Sequence, residues 1–348
     1  NLPRLGSVVN GPRFARGTRA VSTRDWLTRT LRHAIETWFP SEAGRNTAEW
    51  SRDRLAALLR DRLAGPRVVI VANREPYMHN RVGDGVTWIR PASGLVTALD
   101  PIMRATGGVW IAHGSGSADR ETADERGRLG VPPDKPSYTL RRFWLSAEEE
   151  QGYYYGFANR ALWPLCHIAY TRPVFDASDW EQYRRVNAKV AEAVLEEIEG
   201  APAIVLVQDY HFALLPRIIK SRRPDAIISH FWHIPWPHRE AFRICPWQEE
   251  LLDGLLGSDL LGFHVQLHCN NFLETVDRLI ESRVDYEQFS VTRAGHETNV
   301  RPFPISIDMA GISHNGHARS DVRAFRKGLG LRDEWAIALG VDRMDYTK

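Results

Sequence analysis

Aliphatic and polar positions follow two patterns along the chain between residues 66 and 340. Short runs rich in Val, Ile and Leu predict strands buried on both faces of a parallel sheet. These runs cover 68–72, 109–112, 139–145, 204–207, 227–231, 260–263 and 337–340. Between them, apolar residues recur at helical spacing and predict helices near 94–105, 147–163, 179–199, 212–221, 239–256, 267–281 and 321–329. The alternation predicts an α/β fold with a doubly wound, Rossmann-like and mostly parallel sheet.

Two amphipathic helices are predicted before the first strand, one around Trp26 and one that ends at Gly65-Pro66. We therefore expect a helical, basic extension over 1–65 and a Rossmann-like lobe over 66–330. Over 331–348 we expect the first strand and a phosphate-binding turn of a further lobe, the remainder of which is absent from the sequence. The sequence predicts mobile loops over 75–90 and 114–137 and a polar hairpin over 289–303.

The composition is that of an ordinary globular protein, with 43% hydrophobic and 25% charged residues. No apolar run approaches the roughly 18 residues of a membrane span, and no secretory signal pattern opens the chain. The 3 cysteines are scattered without CxxC spacing, which indicates reduced thiols. These features predict a cytoplasmic protein that does not enter a membrane.

The net charge of +2 conceals a basic start, since residues 1–65 hold 12 arginines against 6 acidic side chains. These arginines are interleaved with apolar positions rather than clustered. We therefore interpret them as a solvated helical face and expect no nucleic-acid partner.

Polar and aromatic residues follow five of the predicted strands at their carboxyl ends. They are Asn73-Arg74, His113 to Gly116, Gln208 to His211, Trp232 to Pro237, and Asp342-Arg343 with Lys348. Open α/β sheets bind ligands in the crevice outside these strand ends, so the sequence predicts a ligand crevice there. Arg343 and Lys348 suit a pyrophosphate leaving group, whose growing negative charge needs fixed cations.

The individual residues leave alternatives open. Arg74 is either a phosphate clamp or a partner of a local carboxylate. Asp209 either orients a sugar hydroxyl or caps the following helix, and His233 either holds a substrate or lies in the core. A metal site at the neighbouring histidines is rejected, because alternate strand positions face opposite sides. Ser115 lacks the GxSxG spacing of a hydrolase nucleophile.

The motif series resembles that of the trehalose-6-phosphate synthases from about residue 66 to the last residue. It comprises Asn73-Arg74, Ser93-Gly94-Leu95, the stretch from Tyr153 to Pro164, Val207 to His211, His233 to Pro237, and Val341 to Lys348. This resemblance implies a retaining glucosyltransferase with two Rossmann-like lobes of the GT-B type, needing no metal or other cofactor. It implies transfer from a nucleotide-glucose, with UDP-glucose expected, to glucose 6-phosphate, giving α,α-trehalose 6-phosphate.

By position, the resemblance assigns acceptor binding to Arg74, His113, Tyr154, Trp163 and Asp209. It assigns donor binding to Gly94, His233, Arg343 and Lys348. It assigns catalysis to Asp209, His233, Arg343 and Lys348. His113 stands where the family usually has Trp, Ser93 replaces a usual glycine, and Glu75-Pro76 follows Arg74. These departures leave two alternatives open: transfer to glycerol 3-phosphate, as in glucosylglycerol-phosphate synthases, and a non-catalytic regulatory relative. Without the rest of the second lobe, the chain as given is expected to be inactive. A homo-oligomer is left open.

Overall fold

The computed structural model describes residues 52–63, 65–305, 319–332, 334–335, 337 and 340. The chain divides into two compact units, Asn1–Trp50 and Ser51–Lys348, of which the first lies outside the described residues. The helix predicted around Trp26 therefore lies there too. The second predicted helix of the extension contributes α1, Arg52–Leu63, which packs against the helix Gly94–Thr106.

Twelve strands are found in the described part of the chain, and ten of them form one sheet. The strands are β1 Arg67–Arg74, β2 Met78–Val82, β3 Gly85–Ile89, β4 Val109–His113, β5 Arg128–Val131, β6 Tyr138–Phe143, β7 Ala203–Gln208, β8 Ile227–Phe231, β9 Leu260–Phe263, β10 Arg283–Asp285, β11 Ser290–Arg293 and β12 His296–Pro302. The sheet order is β10-β11-β12-β9-β8-β7-β1-β4-β6-β5, while β2 and β3 pair only with each other. The seven strands from β12 to β6 run parallel, and β5, β10 and β11 pair antiparallel at the two edges.

The chain reverses its direction of travel across the sheet at β1. Val69 of β1 pairs with Val109 of β4 on one side and with Val205 of β7 on the other. The chain first moves outward through β4 and β6, and it then returns to β7 and continues through β8, β9 and β12. In open α/β sheets this reversal opens a crevice at the carboxyl ends of the central strands. Here those ends are the ends of β1 and β7.

Helices connect the strands and cover both faces of the sheet. They are α2 Gly94–Thr106, α3 Asp119–Thr122, α4 Ala147–Glu150, a π-helix Gln151–Leu162, α5 Trp163–His167, α6 Ala177–Glu197, a short 3-10 helix Tyr210–Phe212, α7 Leu215–Arg222, α8 Arg239–Phe242, α9 Gln248–Leu255, α10 Gln266–Leu279 and α11 Arg319–Gly328. Successive side chains of β1 enter different cores: Val69 and Val71 join the larger one with the π-helix and α6, and Ile70 joins the smaller one with α2. Each such fully buried aliphatic side chain contributes roughly 1.5–3 kcal/mol.

The predicted α/β fold and mostly parallel sheet are confirmed, and so is the hairpin in 289–303, formed by β11 and β12. The prediction of loops is wrong for parts of two segments. Residues 75–90 contain the β2–β3 hairpin, and 114–137 contain α3 and β5. The last predicted strand is not observed at Ile337 or Gly340, and the two residues between them lie outside the described residues.

Candidate functional site

The ends of β1 and β4 form one wall of the crevice. Arg74 pairs with His113 across a register shift between the strands, and the Arg74 carbonyl accepts a hydrogen bond from Trp110 Nε1 at 3.3 Å. Beside them lies a cavity of about 180 Å³. Its lining comprises Asn73, Arg74, Met78, His113, Ser115, Leu145, Glu150 and Tyr154. Arg74 and Tyr154, which lie 80 positions apart in sequence, therefore meet in one cavity with His113.

The helix that carries Tyr154 has the wide turns of a π-helix, a rare conformation that occurs frequently at functional sites. It packs tightly on α6: a Cβ on Gly152 would lie 2.7 Å from Gln182 Cγ, and one on Gly156 would lie 2.3 Å from Asp179 Cγ. The Tyr153 hydroxyl donates to Asn73 Oδ1 at 3.0 Å, which joins this helix to the end of β1. Packing and hydrogen bonding together hold Tyr154 at the cavity.

Trp163 begins α5, directly after the π-helix. Its ring lies 4.1 Å from the His167 ring and 5.8 Å from the Tyr210 ring, measured between centroids. The Tyr210 hydroxyl in turn donates to Asn159 Oδ1 at 2.9 Å. Trp163 therefore lies beside the segment after β7, and two of the five predicted acceptor residues, Tyr154 and Trp163, come from one continuous helical stretch.

Asp209 follows β7 directly and has a strained backbone, with φ at +75°. Such a value is rare outside glycine and tends to persist at functional sites. Its Oδ1 accepts hydrogen bonds from the backbone N–H groups of Tyr210 at 2.9 Å and His233 at 3.3 Å. Asp209 is thus the cap of the 3-10 helix, and its side chain remains 24% exposed. Burial raises the pKa of Asp209 to about 7.

His233 lies two residues beyond β8, next to Asp209. Its Nε2 lies 3.0 Å from Gln208 Oε1, and its backbone N–H donates to Asp209. Burial, followed by the nearby His264, lowers the pKa of His233 to about 4. The imidazole is therefore neutral at physiological pH and presents one donor and one acceptor nitrogen.

His211 is a functional candidate to which sequence reasoning assigned no role, although it was noted among the residues after β7. Its ring stacks on that of Tyr154, with centroids 5.5 Å apart and planes at 10°. Its Nδ1 lies 3.9 Å from Asp209 Oδ2. Both ring nitrogens are buried and lack a hydrogen-bond partner among the residues that the structure describes. Burial, His233 and Arg74 lower the pKa of His211 to about 3.

A second polar cluster, the Glu75–Asp119–Arg142 cluster, lies beneath the loop that follows β4. Arg142, from β6, is fully buried; its Nε donates to Glu75 Oε2 at 2.8 Å, and its Nη2 forms an ion pair with Asp119 Oδ1 at 2.7 Å. Glu75 Oε1 accepts from the Ser115 backbone N–H at 3.1 Å, and Asp119 Oδ2 accepts from that of Gly116 at 2.6 Å. Burial, followed by a hydrogen bond with Asp119, raises the pKa of Glu75 to about 8.

This cluster was missed from the sequence, where Glu75 was noted only as a departure from the family pattern. No local spacing signals it, because Arg142 lies 67 positions from Glu75. The cluster fixes the loop that carries Ser115 and follows His113, and both residues line the cavity. The cluster therefore fixes the part of the cavity wall that this loop forms.

Gly94 begins α2, and the Ser93 side chain caps this helix by accepting from the Val96 N–H at 3.5 Å. Ser93 is thus accommodated as a helix cap. No heavy atom lies within 4 Å of the position a Cβ of Gly94 would take. A helix N-terminus offers free backbone N–H groups and positive potential to an anion. Arg343 and Lys348 lie outside the described residues.

Within the described ranges, no group of three or more His, Cys, Asp or Glu residues could hold a metal ion. The three cysteines are free thiols and are buried. None of the helices in those ranges is long and apolar enough to cross a membrane.

Comparison with known proteins gives the same family from sequence and from structure. The chain is 39% identical over 297 residues to a trehalose-6-phosphate synthase of Mycolicibacterium vanbaalenii, an alignment that covers 82% of this chain and 60% of that protein. An Escherichia coli trehalose-6-phosphate structure bound with UDP-2-fluoro glucose superposes with a TM-score of 0.62 at 27% identity, covering 76% of this chain and 54% of the other.

A trehalose-6-phosphate synthase studied with bisubstrate glycomimetics, to examine glycosyl transfer with retention, superposes with a TM-score of 0.61 at 26% identity. That superposition covers 75% of this chain and 53% of the other. The chain thus spans between half and two thirds of the length of these relatives. The family model of glycosyltransferase family 20 matches residues 66–348. The chain therefore belongs to glycosyltransferase family 20.

Proposed function

We propose that this lobe binds glucose 6-phosphate and serves retaining glucosyl transfer from a nucleotide-glucose, with UDP-glucose as donor, to give α,α-trehalose 6-phosphate. The observation that carries the proposal is the cavity where Arg74, His113 and Tyr154 meet. Asp209 is connected to this cavity through His211, whose ring stacks on Tyr154 and whose Nδ1 lies 3.9 Å from Asp209 Oδ2. A guanidinium and a phenol suit a phosphate, and a carboxylate at the crevice suits sugar hydroxyls. The names of the relatives support the product.

The donor assignment has separate support. The E. coli relative binds UDP-2-fluoro glucose, and the N-terminus of α2 at Gly94 is suited to a phosphate group. His233 lies two residues beyond β8 and is assigned to the donor sugar. Arg343 and Lys348 remain proposed partners of the departing diphosphate.

In the proposed reaction the acceptor hydroxyl attacks the anomeric carbon on the face that the leaving phosphate vacates. The bond from that carbon to the acceptor oxygen forms as its bond to the diphosphate oxygen breaks, and a phosphate oxygen takes the hydroxyl proton. Retention then needs no carboxylate nucleophile, and the protein contributes orientation and charge stabilisation. The mechanism assigns no step to a metal or cofactor.

His113 favours a second candidate acceptor, glycerol 3-phosphate. It lines the cavity where the family usually has a larger aromatic side chain, and the cavity measures about 180 Å³. A different side chain at position 113 changes the shape of the cavity and therefore which polyol fits beside the phosphate. The phosphate contact at Arg74 would serve either acceptor.

A transfer assay on the full-length protein tests these proposals. UDP-glucose is offered with glucose 6-phosphate or with glycerol 3-phosphate, and the products are identified by mass and anomeric configuration. An α,α-linked disaccharide phosphate supports the first candidate. A product with glycerol 3-phosphate alone replaces it with the second, and no product from either pair contradicts both.

A further inference from the structure

Gln208 is a buried amide at the end of β7, next to the site residue Asp209. Parallel pairing places Gln208 opposite Phe231 of β8, so its side chain reaches the residues that follow that strand. Its Oε1 lies 3.0 Å from His233 Nε2. The hydrogen bond therefore spans the ends of two neighbouring strands at the crevice.

His233 is held at two points by two consecutive residues. Gln208 contacts its ring, and Asp209 Oδ1 accepts from its backbone N–H at 3.3 Å. The backbone of Asp209 is itself tied to β8, because its N–H donates to the Phe231 carbonyl at 2.7 Å. The strained conformation of Asp209 is thus fixed by β8, and the orientation of the His233 ring depends on Gln208.

A second buried glutamine shows what a purely structural amide does in this protein. Gln182 of α6 is as buried as Gln208, at 7% against 6% exposure. It donates from Nε2 to Glu148 Oε1 at 2.9 Å and joins two helices. Gln208 instead contacts the imidazole of a residue assigned to the donor sugar. The two glutamines therefore form a matched pair for experiment.

The chemistry of the contact determines what the ring can offer to a ligand. An amide carbonyl oxygen only accepts hydrogen bonds, so the imidazole nitrogen facing it must carry the proton. In a neutral imidazole the other nitrogen is then an acceptor. We propose that Gln208 is a positioning residue that fixes His233 in the Nε2–H tautomer, so that Nδ1 accepts a hydrogen bond from a hydroxyl of the donor hexose. This inference rests on the proposed function for the role of His233.

Nitrogen NMR of the histidine-labelled chain tests the tautomer without any need for activity. In the unsubstituted protein we expect His233, assigned by comparison with His233→Asn, to show a protonated Nε2 and an unprotonated Nδ1. Gln208→Leu should convert this signature to a mixture of tautomers, whereas Gln182→Leu should leave it unchanged. A protonated Nδ1 in the unsubstituted protein, or identical His233 signals in Gln208→Leu, would overturn the inference.

Gln208→Glu provides a variant that keeps an acceptor in place. The carboxylate should preserve the Nε2–H tautomer and raise the pKa of His233, because the charged imidazole gains an opposite charge. An unchanged titration of His233 would show that the side chain at 208 does not contact the ring. This variant decides the question even if Gln208→Leu does not fold.

Kinetics of the full-length protein test the functional half of the inference. Gln208→Leu should raise the KM for the nucleotide-glucose about tenfold, which corresponds to ~1.4 kcal/mol, and leave the KM for the acceptor unchanged. An equal rise in both KM values would overturn the donor role of Gln208. Failure of the unsubstituted protein to transfer glucose would refute the proposed function, and the NMR result would still decide the tautomer.

Discussion

Two polar clusters lie at the carboxyl edge of the same sheet, and they differ in how fully their hydrogen bonds are satisfied. In the Glu75–Asp119–Arg142 cluster, all four carboxylate oxygens accept hydrogen bonds, and Arg142 donates from Nε, Nη1 and Nη2. In the crevice cluster, formed by Asp209, His211 and His233, both ring nitrogens of His211 lack partners among the described residues. Asp209 there has a strained backbone.

This difference in hydrogen bonding distinguishes a cluster that stabilises the fold from a cluster that binds a ligand. A buried polar group without a partner costs about 1–3 kcal/mol, so a fold tolerates it where a ligand or catalysis compensates. A fully connected cluster fixes geometry and leaves no group free for a ligand. We therefore assign stability to the first cluster and binding to the second.

The largest effect is expected when the connected cluster is broken. Arg142→Met would leave the buried carboxylate of Asp119 without its counter-charge and Glu75 Oε2 without its donor, and we expect a loss of about 3–5 kcal/mol in the free energy of unfolding. Denaturant unfolding measures this change. Arg126→Met, at an exposed position in the same part of the chain, should change stability by less than about 0.5 kcal/mol. A small loss for both variants would show that the cluster is not structural.

Substitution in the crevice cluster should instead weaken binding. At pH 8, above the raised pKa of Asp209, Asp209→Asn removes a charged acceptor, and we expect the affinity for glucose 6-phosphate to fall about ten- to a hundredfold, since hydrogen bonds to charged groups contribute about 1.5–3 kcal/mol. Calorimetric titration measures the affinity. The exposed Asp134→Asn should bind as the unsubstituted chain does. Equal affinity for Asp209→Asn would remove Asp209 from the acceptor site.

The raised pKa of Asp209 gives a pH-dependent test. Burial moves the value from 3.8 to about 7, so the folded protein holds a proton there that the unfolded chain releases at lower pH. The stability contributed by this proton is complete below the unfolded pKa and is lost as the pH rises through 7. The Tm of Asp209→Asn, measured relative to the unsubstituted chain, should therefore be higher at pH 8 than at pH 5. A difference that is constant with pH would contradict the raised pKa.

The smallest effect is expected at His211. His211→Phe keeps the stacking on Tyr154 and removes two buried nitrogens without partners, so we expect stability to rise by up to about 1 kcal/mol. The same substitution at His167, whose Nδ1 is hydrogen-bonded to the Trp163 carbonyl at 2.8 Å, should instead lower stability. Thermal unfolding compares the two variants. A loss at both positions would show that His211 is a satisfied core residue.

Much of the fold follows from local pattern, because buried parallel strands such as 68–72 and 204–207 are continuous aliphatic runs. The crevice could be predicted for the same reason: Arg74, Asp209 and His233 all follow such strands. The β2–β3 hairpin was missed because its strands pair only with each other and are largely solvent-exposed. A polar, half-exposed pair of strands has no hydrophobic run to reveal it.

Other features are invisible to local reasoning. The strained conformation of Asp209 is accompanied by a hydrogen bond from its N–H to β8, and the partners of Arg142 are distant in sequence. Whether the ring nitrogens of His211 find hydrogen-bond partners depends on the residues around the ring, which include Tyr154 of the π-helix. The donor-side predictions at Arg343 and Lys348 stay predictions, because both residues lie outside the described part of the chain.

We propose that the crevice of this lobe holds a sugar phosphate by its phosphate at Arg74 and by its sugar at Asp209. Calorimetric titration of the chain and of Arg74→Ala, with glucose 6-phosphate and with glucose, measures the contribution of the phosphate contact. We expect Arg74→Ala to lose tenfold or more in affinity for glucose 6-phosphate, corresponding to at least ~1.4 kcal/mol, and to bind glucose as the unsubstituted chain does. Unchanged affinity of Arg74→Ala for glucose 6-phosphate would contradict the account.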